Sequence, residues 1–255
     1  MLRHEGKPCP SIKRFLVTGC ARSGTKYMSV VMRRVGLDVP HERMGRDGIS
    51  SWMLTVDAPE VPVGDSRGGH TFQQTVHIVR NPMRVIESLS IISEPPWNFR
   101  GWDFICQHTS CSSRDPLLIR GAVYWLEWNE MAQRRAHVTC RIDDWPSLVR
   151  TLTDELQIPT VHNSANIPCD LNTRSFGRLY HRIEELLVQI NLQHILNWAK
   201  PFFRIFAHAE PVSLNALYGQ CPELAERVVA KAEEYGYSCK ELREPFLRAL
   251  PCQFY

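Results

Sequence analysis

The chain has no apolar run of roughly 18 residues, the length that a membrane-spanning helix requires. Its opening residues, MLRHEGKPCPSIKRF, lack the apolar centre of a secretory signal. No two of the nine cysteines have the C-x-x-C spacing of a zinc or redox site. Their number is odd and several sit in apolar runs, so they read as reduced thiols packed as small hydrophobes. A large net charge is missing too: 30 Lys and Arg against 27 Asp and Glu leave +3. That balance argues against a dedicated nucleic-acid binder. It leaves room for a small anionic ligand, because a local arginine cluster needs no high net charge. Internal repeats and low-complexity linkers are absent as well. These absences point to a cytoplasmic protein with no membrane span. A chain of 255 residues buries a substantial core without staples.

What is present begins with GCARSGTKY, Gly19 to Tyr27. A Walker A loop reads G-x-x-x-x-G-K-[ST]. Gly19 and Gly24 have that spacing, but Thr25 precedes Lys26 and Arg22 stands inside the loop. One residue on a helix is about 100° of rotation, so Lys26 points away from the place of a Walker lysine. The strand Val138–Ile142 ends in Asp143-Asp144, which serve equally well as helix caps or as metal ligands.

Around the loop the pattern is strand, turn, helix. Phe15-Leu16-Val17 reads as a buried strand. Met28, Val31, Met32 and Val35 follow at helical spacing, and Gly36 is a C-terminal stop. Leu37 to Val39 reads as a second strand. Asp57 to Thr71 is rich in Pro and Gly and reads as loop. Val76 to Val79 is the next strand, followed by Asn81 as helix cap and Pro82 as first helical residue. Glu94 to Asp115 reads as a long surface segment of the kind that forms lids. Gly121 to Ala136 reads as a helix, and Val138 to Ile142 as a strand. Asp143 or Asp144 caps a helix running toward Leu156. Asn163 to Arg178 looks irregular, Leu179 to Phe206 strongly helical, and Pro222 to Tyr235 is an amphipathic helix stopped by Gly236. The expected architecture is α/β: a three-layer, P-loop-like parallel sheet flanked by helices. One domain spans 1–255, with a nucleotide-binding core over 12–158 and a mostly helical part over 159–255.

A strand-loop-helix turn aims backbone N–H groups and a helix dipole at an anion. The segment Gly19, Cys20, Ala21, Arg22, Ser23, Gly24, Thr25 and Lys26 is the candidate loop. Ser23 and Thr25 add hydroxyl donors. Arg22 adds a planar charged fork suited to phosphate or sulfate. In HIVRNPMRVIESL, Arg80 ends a strand, where α/β proteins bind ligands. Ser88 lies two turns along the following helix.

GCARSGTKYM resembles the 5′-phosphosulfate loop of the sulfotransferases that use 3′-phosphoadenosine 5′-phosphosulfate (PAPS). The R-S-G-T version is similar to the tyrosylprotein type and to many bacterial members. HIVRNPMRVIESL resembles the 3′-phosphate motif of the same family, in which R-[DN]-P opens a helix and a serine follows. VGLDVPHERMGRDGISSW offers His41 and Glu42 side by side, near where the family places the acceptor's base. The resemblance covers Phe15 to about Trp145.

It implies sulfuryl transfer from PAPS to an acceptor hydroxyl or amine, leaving 3′-phosphoadenosine 5′-phosphate (PAP), with no metal. Arg22 would stabilise the leaving phosphate, Arg80 and Ser88 would grip the 3′-phosphate, and Glu42, or else His41, would be the base. Adjacent side chains on an extended segment point opposite ways, so only one of the two is expected to serve. The acceptor is a small molecule, a carbohydrate or a lipid-like alcohol. The family's C-terminal R-K-G-x-x-G-x-W signature is absent, which leaves the adenine clamp unassigned. Arg141, Tyr124 and Trp125 are candidates by position. Trp52, Trp97, Phe99 and Trp102 either line a pocket or pack a lid. Two other readings stay open: a P-loop nucleotide or small-molecule kinase, and a nucleotide-binding module without catalysis.

Overall fold

The computed structural model describes residues 12–56, 71–93, 99, 101–158 and 212–243. Four strands form one parallel sheet in the order β2-β1-β3-β4. They are β1 (Ile12–Thr18), β2 (Gly48–Ser50), β3 (Thr71–Val79) and β4 (Val138–Arg141). The first helix is α1 (Thr25–Arg34), and a short 3-10 turn spans Met53–Thr55. Helices α2 (Pro82–Ser93), α3 (Gly101–His108) and α4 (Leu117–Arg135) follow β3. After β4 come α5 (Trp145–Arg150), α6 (Leu214–Gln220), α7 (Pro222–Glu234) and α8 (Cys239–Arg243). No described helix is long and apolar enough to cross a membrane.

The layers follow from which side chains each strand hides. Phe15, Val17, Val76 and Ile78 pack with Met28, Val31 and Met32 of α1 and Leu148 of α5. The opposite face carries Val85, Ile86 and Leu89 of α2 and the fully buried Tyr124, Trp125 and Trp128 of α4. Leu217 of α6 and Val228 of α7 join that second cluster, so this C-terminal part shares the core of the α/β unit. Helices on both faces are what an all-parallel sheet needs.

The topology creates a crevice at one end of the sheet. From β1 the chain runs through α1 to β2 on one side. From β3 it runs through α2 to α4 and on to β4 on the other side. The winding reverses between β1 and β3, and parallel sheets bind ligands at that crevice, beyond the strands' carboxyl ends.

Two expectations need correcting. The strand beside β1 is Gly48–Ser50, not Leu37 to Val39. The earlier segment is displaced because Asp38 ties itself to the next turn, accepting from Arg46 N while its own N–H donates to Asp47. Glu94 to Asp115 is not all surface loop: it contains α3, whose Trp102 and Ile105 are buried. Trp52, Phe99 and Trp102 pack with the aromatic core. Tilted and edge-on contacts pair Trp52 with Phe99 and Phe99 with Trp102. Of the two candidate caps, Asp144 is the one that caps α5, accepting from Ser147 N, while Asp143 accepts from the Tyr237 hydroxyl at 3.0 Å. Residues 57–70, Trp97, Asn163 to Arg178 and Leu179 to Phe206 lie outside the described residues.

Candidate active site

The loop after β1 is held in a conformation that its sequence allows at two points. Gly19 has φ 151°, and a Cβ there would lie 2.2 Å from the Ile78 carbonyl oxygen. Gly24 has φ 109° and leads straight into α1, which has no side-chain cap. The amino end of α1 therefore opens onto the loop, with a partial positive charge. Arg22 is the exception among the loop residues. It is not glycine, yet its φ is 73°. That left-handed conformation costs a side-chain-bearing residue roughly 1–2 kcal/mol, and it turns the guanidinium toward α2.

There the two motifs meet. Arg22 Nε donates to Ser88 Oγ at 2.7 Å. Arg80 Nη1 donates to the Arg22 carbonyl at 3.1 Å. Asn81 caps α2 through its side-chain oxygen, which accepts from Met83 N at 3.0 Å. Pro82 is the first helical residue, as the R-N-P spelling anticipates. Burial, and then the charge of neighbouring Arg84, hold the Arg80 pKa below its ordinary value. The crevice thus concentrates cations that a bound anion would relieve.

The loop's hydroxyls do not point where the sequence suggests. Ser23 is fully buried, and its Oγ donates to the Cys20 carbonyl at 2.6 Å. Thr25 Oγ1 lies 3.1 Å from His41 Nε2. Lys26 is exposed on α1, in keeping with the rotation argument. Cys20 is buried, which pushes its thiol pKa well up.

His41 and Glu42 stand on the same side of the chain, contrary to the alternation of an extended segment. The cause is local. His41 bridges to Ser50 alongside β2, but Glu42 takes φ 53° and swings its side chain back. His41 Nε2 and Glu42 Oε1 end 3.6 Å apart. The distance suits an ion pair; the electrostatics do not. Burial, and then the charges of Lys26 and Arg22, lower the His41 pKa to about 4. Burial raises that of Glu42 to about 7, against hydrogen bonds from the Ser51 side chain and the Trp52 backbone. Near neutrality the imidazole is uncharged and the carboxyl is poised to gain or lose a proton. Ser51 Oγ donates to Glu42 Oε2 at 2.6 Å, whereas Oε1 is buried with no hydrogen-bond partner.

Behind the site stand two aromatic residues. The Ala21 N–H donates to the Tyr124 hydroxyl at 2.5 Å. Trp125 Nε1 donates to the Arg80 carbonyl at 3.0 Å. Both rings are fully buried, so neither offers a face for adenine to stack on. They instead brace the two motifs from α4, and losing the Tyr124 hydroxyl would strand a buried N–H at a cost of ~1–3 kcal/mol.

Arg141 is likewise no ligand clamp. Its guanidinium donates to the Gly236 carbonyl at 2.5 Å and to Glu241 Oε1 at 2.7 Å. It also covers the Tyr237 ring at 3.9 Å. Those bonds dock the last described helix beside Asn81, whose Nδ2 donates to the Glu241 carbonyl.

Ser51 carries no local signal of its own in the sequence. Its signal is its place just past the strand Gly48–Ser50, at the carboxyl end of a parallel sheet where ligands bind. Comparison of the chain with protein-family models, with curated proteins and with solved structures finds no match.

Proposed function

We propose that the chain is a sulfotransferase that moves a sulfuryl group from PAPS to a hydroxyl or amine of a small-molecule, carbohydrate or lipid-like acceptor. One observation carries the reading. Arg22 of the first motif bonds Ser88 of the second, and Arg80 bonds the Arg22 carbonyl, at 2.7 and 3.1 Å. Two segments far apart in sequence therefore face one crevice, as a donor with phosphates at both its 5′ and 3′ ends requires.

In this reading the loop from Gly19 and the amino end of α1 receive the 5′-phosphosulfate. Arg80 and Ser88 receive the 3′-phosphate, which ATP lacks. The acceptor oxygen attacks sulfur in line, and the bond from sulfur to the 5′-phosphate oxygen breaks. Arg22 stabilises the charge that develops on that phosphate. Glu42, as carboxylate, takes the acceptor's proton. His41, neutral and 3.1 Å from Thr25 Oγ1, orients the start of α1 and borders the acceptor. PAP is the leaving nucleotide.

Arg80 provides the test of the donor's identity. Wild-type protein should bind PAP in preference to adenosine 5′-phosphate in calorimetric titrations. Arg80→Ala should weaken PAP by about 10–100-fold, the worth of one or two charged hydrogen bonds, and leave adenosine 5′-phosphate nearly unchanged. A variant that keeps the full preference for PAP would remove Arg80 from the 3′-phosphate.

A further inference from the structure

Outside the site, α3 ends in a pair of thiols. Cys106 lies in the last turn of α3, and Cys111 follows the turn that closes it. Their sulfurs are 3.4 Å apart. Among the described residues this is the one thiol-to-thiol contact. It is built by the turn between them. Thr109 Oγ1 donates to the Ile105 carbonyl at 2.8 Å and touches Cys111 Sγ at 3.1 Å. The Ser110 N–H donates to Glu127 Oε2 of α4 at 2.7 Å. The chain is thereby folded back until Cys111 sinks into the large apolar cluster, while Cys106 stays half-buried. A disulfide of about 2.05 Å needs the sulfurs to close by roughly 1.4 Å.

The two sulfurs differ in access, which divides the work of forming a bond. We propose that Cys106 and Cys111 are a dithiol–disulfide couple, with Cys106 the sulfur that meets a small oxidised disulfide of the glutathione class and Cys111 the resolving sulfur. The Cys106 thiol gives its proton to solvent and attacks one glutathione sulfur. The glutathione disulfide bond breaks, one glutathione leaves as thiolate, and a mixed disulfide forms. Cys111 then loses its proton, attacks the Cys106 sulfur and expels the second glutathione. Two thiols are oxidised and one glutathione disulfide is reduced to two glutathiones. Burial, which pushes the Cys111 thiol up to about 12, makes the second step the slow one.

The bond would pin the end of α3 to the entry of α4. Helix α3 carries Phe104, whose ring lies 5.9 Å from Trp52 and 6.0 Å from Trp128. It also carries Trp102, 6.0 Å from the Tyr124 ring. The couple therefore staples the aromatic wall behind the Tyr124 hydroxyl that holds the Ala21 N–H.

The test uses the full chain incubated with glutathione disulfide, alkylated, digested and mapped by mass. The peptide holding both cysteines should lose two hydrogens and resist alkylation at both sulfurs. The oxidised protein should melt about 4–8 °C above the reduced one. Cys106→Ser and Cys111→Ala should each abolish that difference while leaving the reduced melting temperature within a few degrees. Phenylarsine oxide, which bridges paired thiols, should bind the reduced wild type at this peptide and neither variant. The proposal is overturned if both sulfurs remain alkylatable after oxidation, or if Cys106 stops at the mixed disulfide with glutathione.

Discussion

Arg22→Ala is expected to lower sulfuryl transfer by at least 10²–10³-fold, the usual cost of losing one preorganised donor to developing charge. PAP binding should weaken far less, because the amino end of α1 and the Arg80–Ser88 pair remain. Arg22 has φ 73°, so its removal touches both charge and backbone strain. Arg22→Gly separates the two. Glycine takes the left-handed conformation without penalty, so Arg22→Gly should melt no lower than Arg22→Ala and be equally inactive. Arg22→Lys keeps the charge but loses the fork whose Nε reaches Ser88 at 2.7 Å. It should keep a minority of the rate. Single-turnover rates on donor-saturated protein check all three. Near-wild-type transfer by Arg22→Ala would end the leaving-group assignment.

Glu42→Gln is expected to cost 10²–10⁴-fold, the range for removal of a general base. Its pH signature identifies which member of the pair acts. With a Glu42 pKa of about 7, the rate should climb through that pH as the carboxyl loses its proton. With His41 as the base the rising limb would lie near pH 4, where that imidazole titrates. A limb near 7 that disappears in Glu42→Gln assigns the base to Glu42; a limb near 4 assigns it to His41.

Stability gives an independent reading of the same carboxyl. Its folded pKa lies above the unfolded value of about 4.3, so the native state binds the extra proton between about pH 4.3 and 7. That contribution is full below the window and lost as pH rises through it. Wild-type protein should therefore lose stability relative to Glu42→Gln as pH goes from 5 to 8. His41 acts with the opposite sign. Its folded pKa of about 4 lies below the ordinary value, so its contribution is lost as pH falls from about 6.5 toward 4.

Much of this was legible because two strand-turn-helix units carry local signals. Glycines at 19 and 24, a helical stripe from Met28, and the cap-and-proline pair Asn81-Pro82 each act within a few residues of themselves. They place β1, α1, β3 and α2, with Arg22 in the turn between β1 and α1, Arg80 just past β3 and Ser88 midway along α2. What stayed hidden depends on contacts made at long range. Leu37 and Val39 suggest a strand beside β1, but Asp38 between them is tied to the next turn, and Gly48–Ser50 is the segment that pairs with Phe15. Glu42 was expected to face away from His41, since nothing local announces a left-handed glutamate. Arg141 looked like a ligand residue by its position at a strand end. Its partners, Gly236 and Glu241, lie about 100 residues on. Position alone makes Tyr124 and Trp125 candidates for the adenine clamp; that they are buried and hold Ala21 and Arg80 emerges only once α4 packs on the sheet.

The most direct measurement of the central claim is the melting temperature of the protein with PAP and, separately, with ATP plus magnesium. Bound ligand raises the stability of the folded state by RT ln(1 + [L]/Kd). The account predicts a rise of several degrees with millimolar PAP and little change with ATP and magnesium, and it predicts that the rise is lost in Arg80→Ala. A larger rise with ATP plus magnesium than with PAP would contradict it.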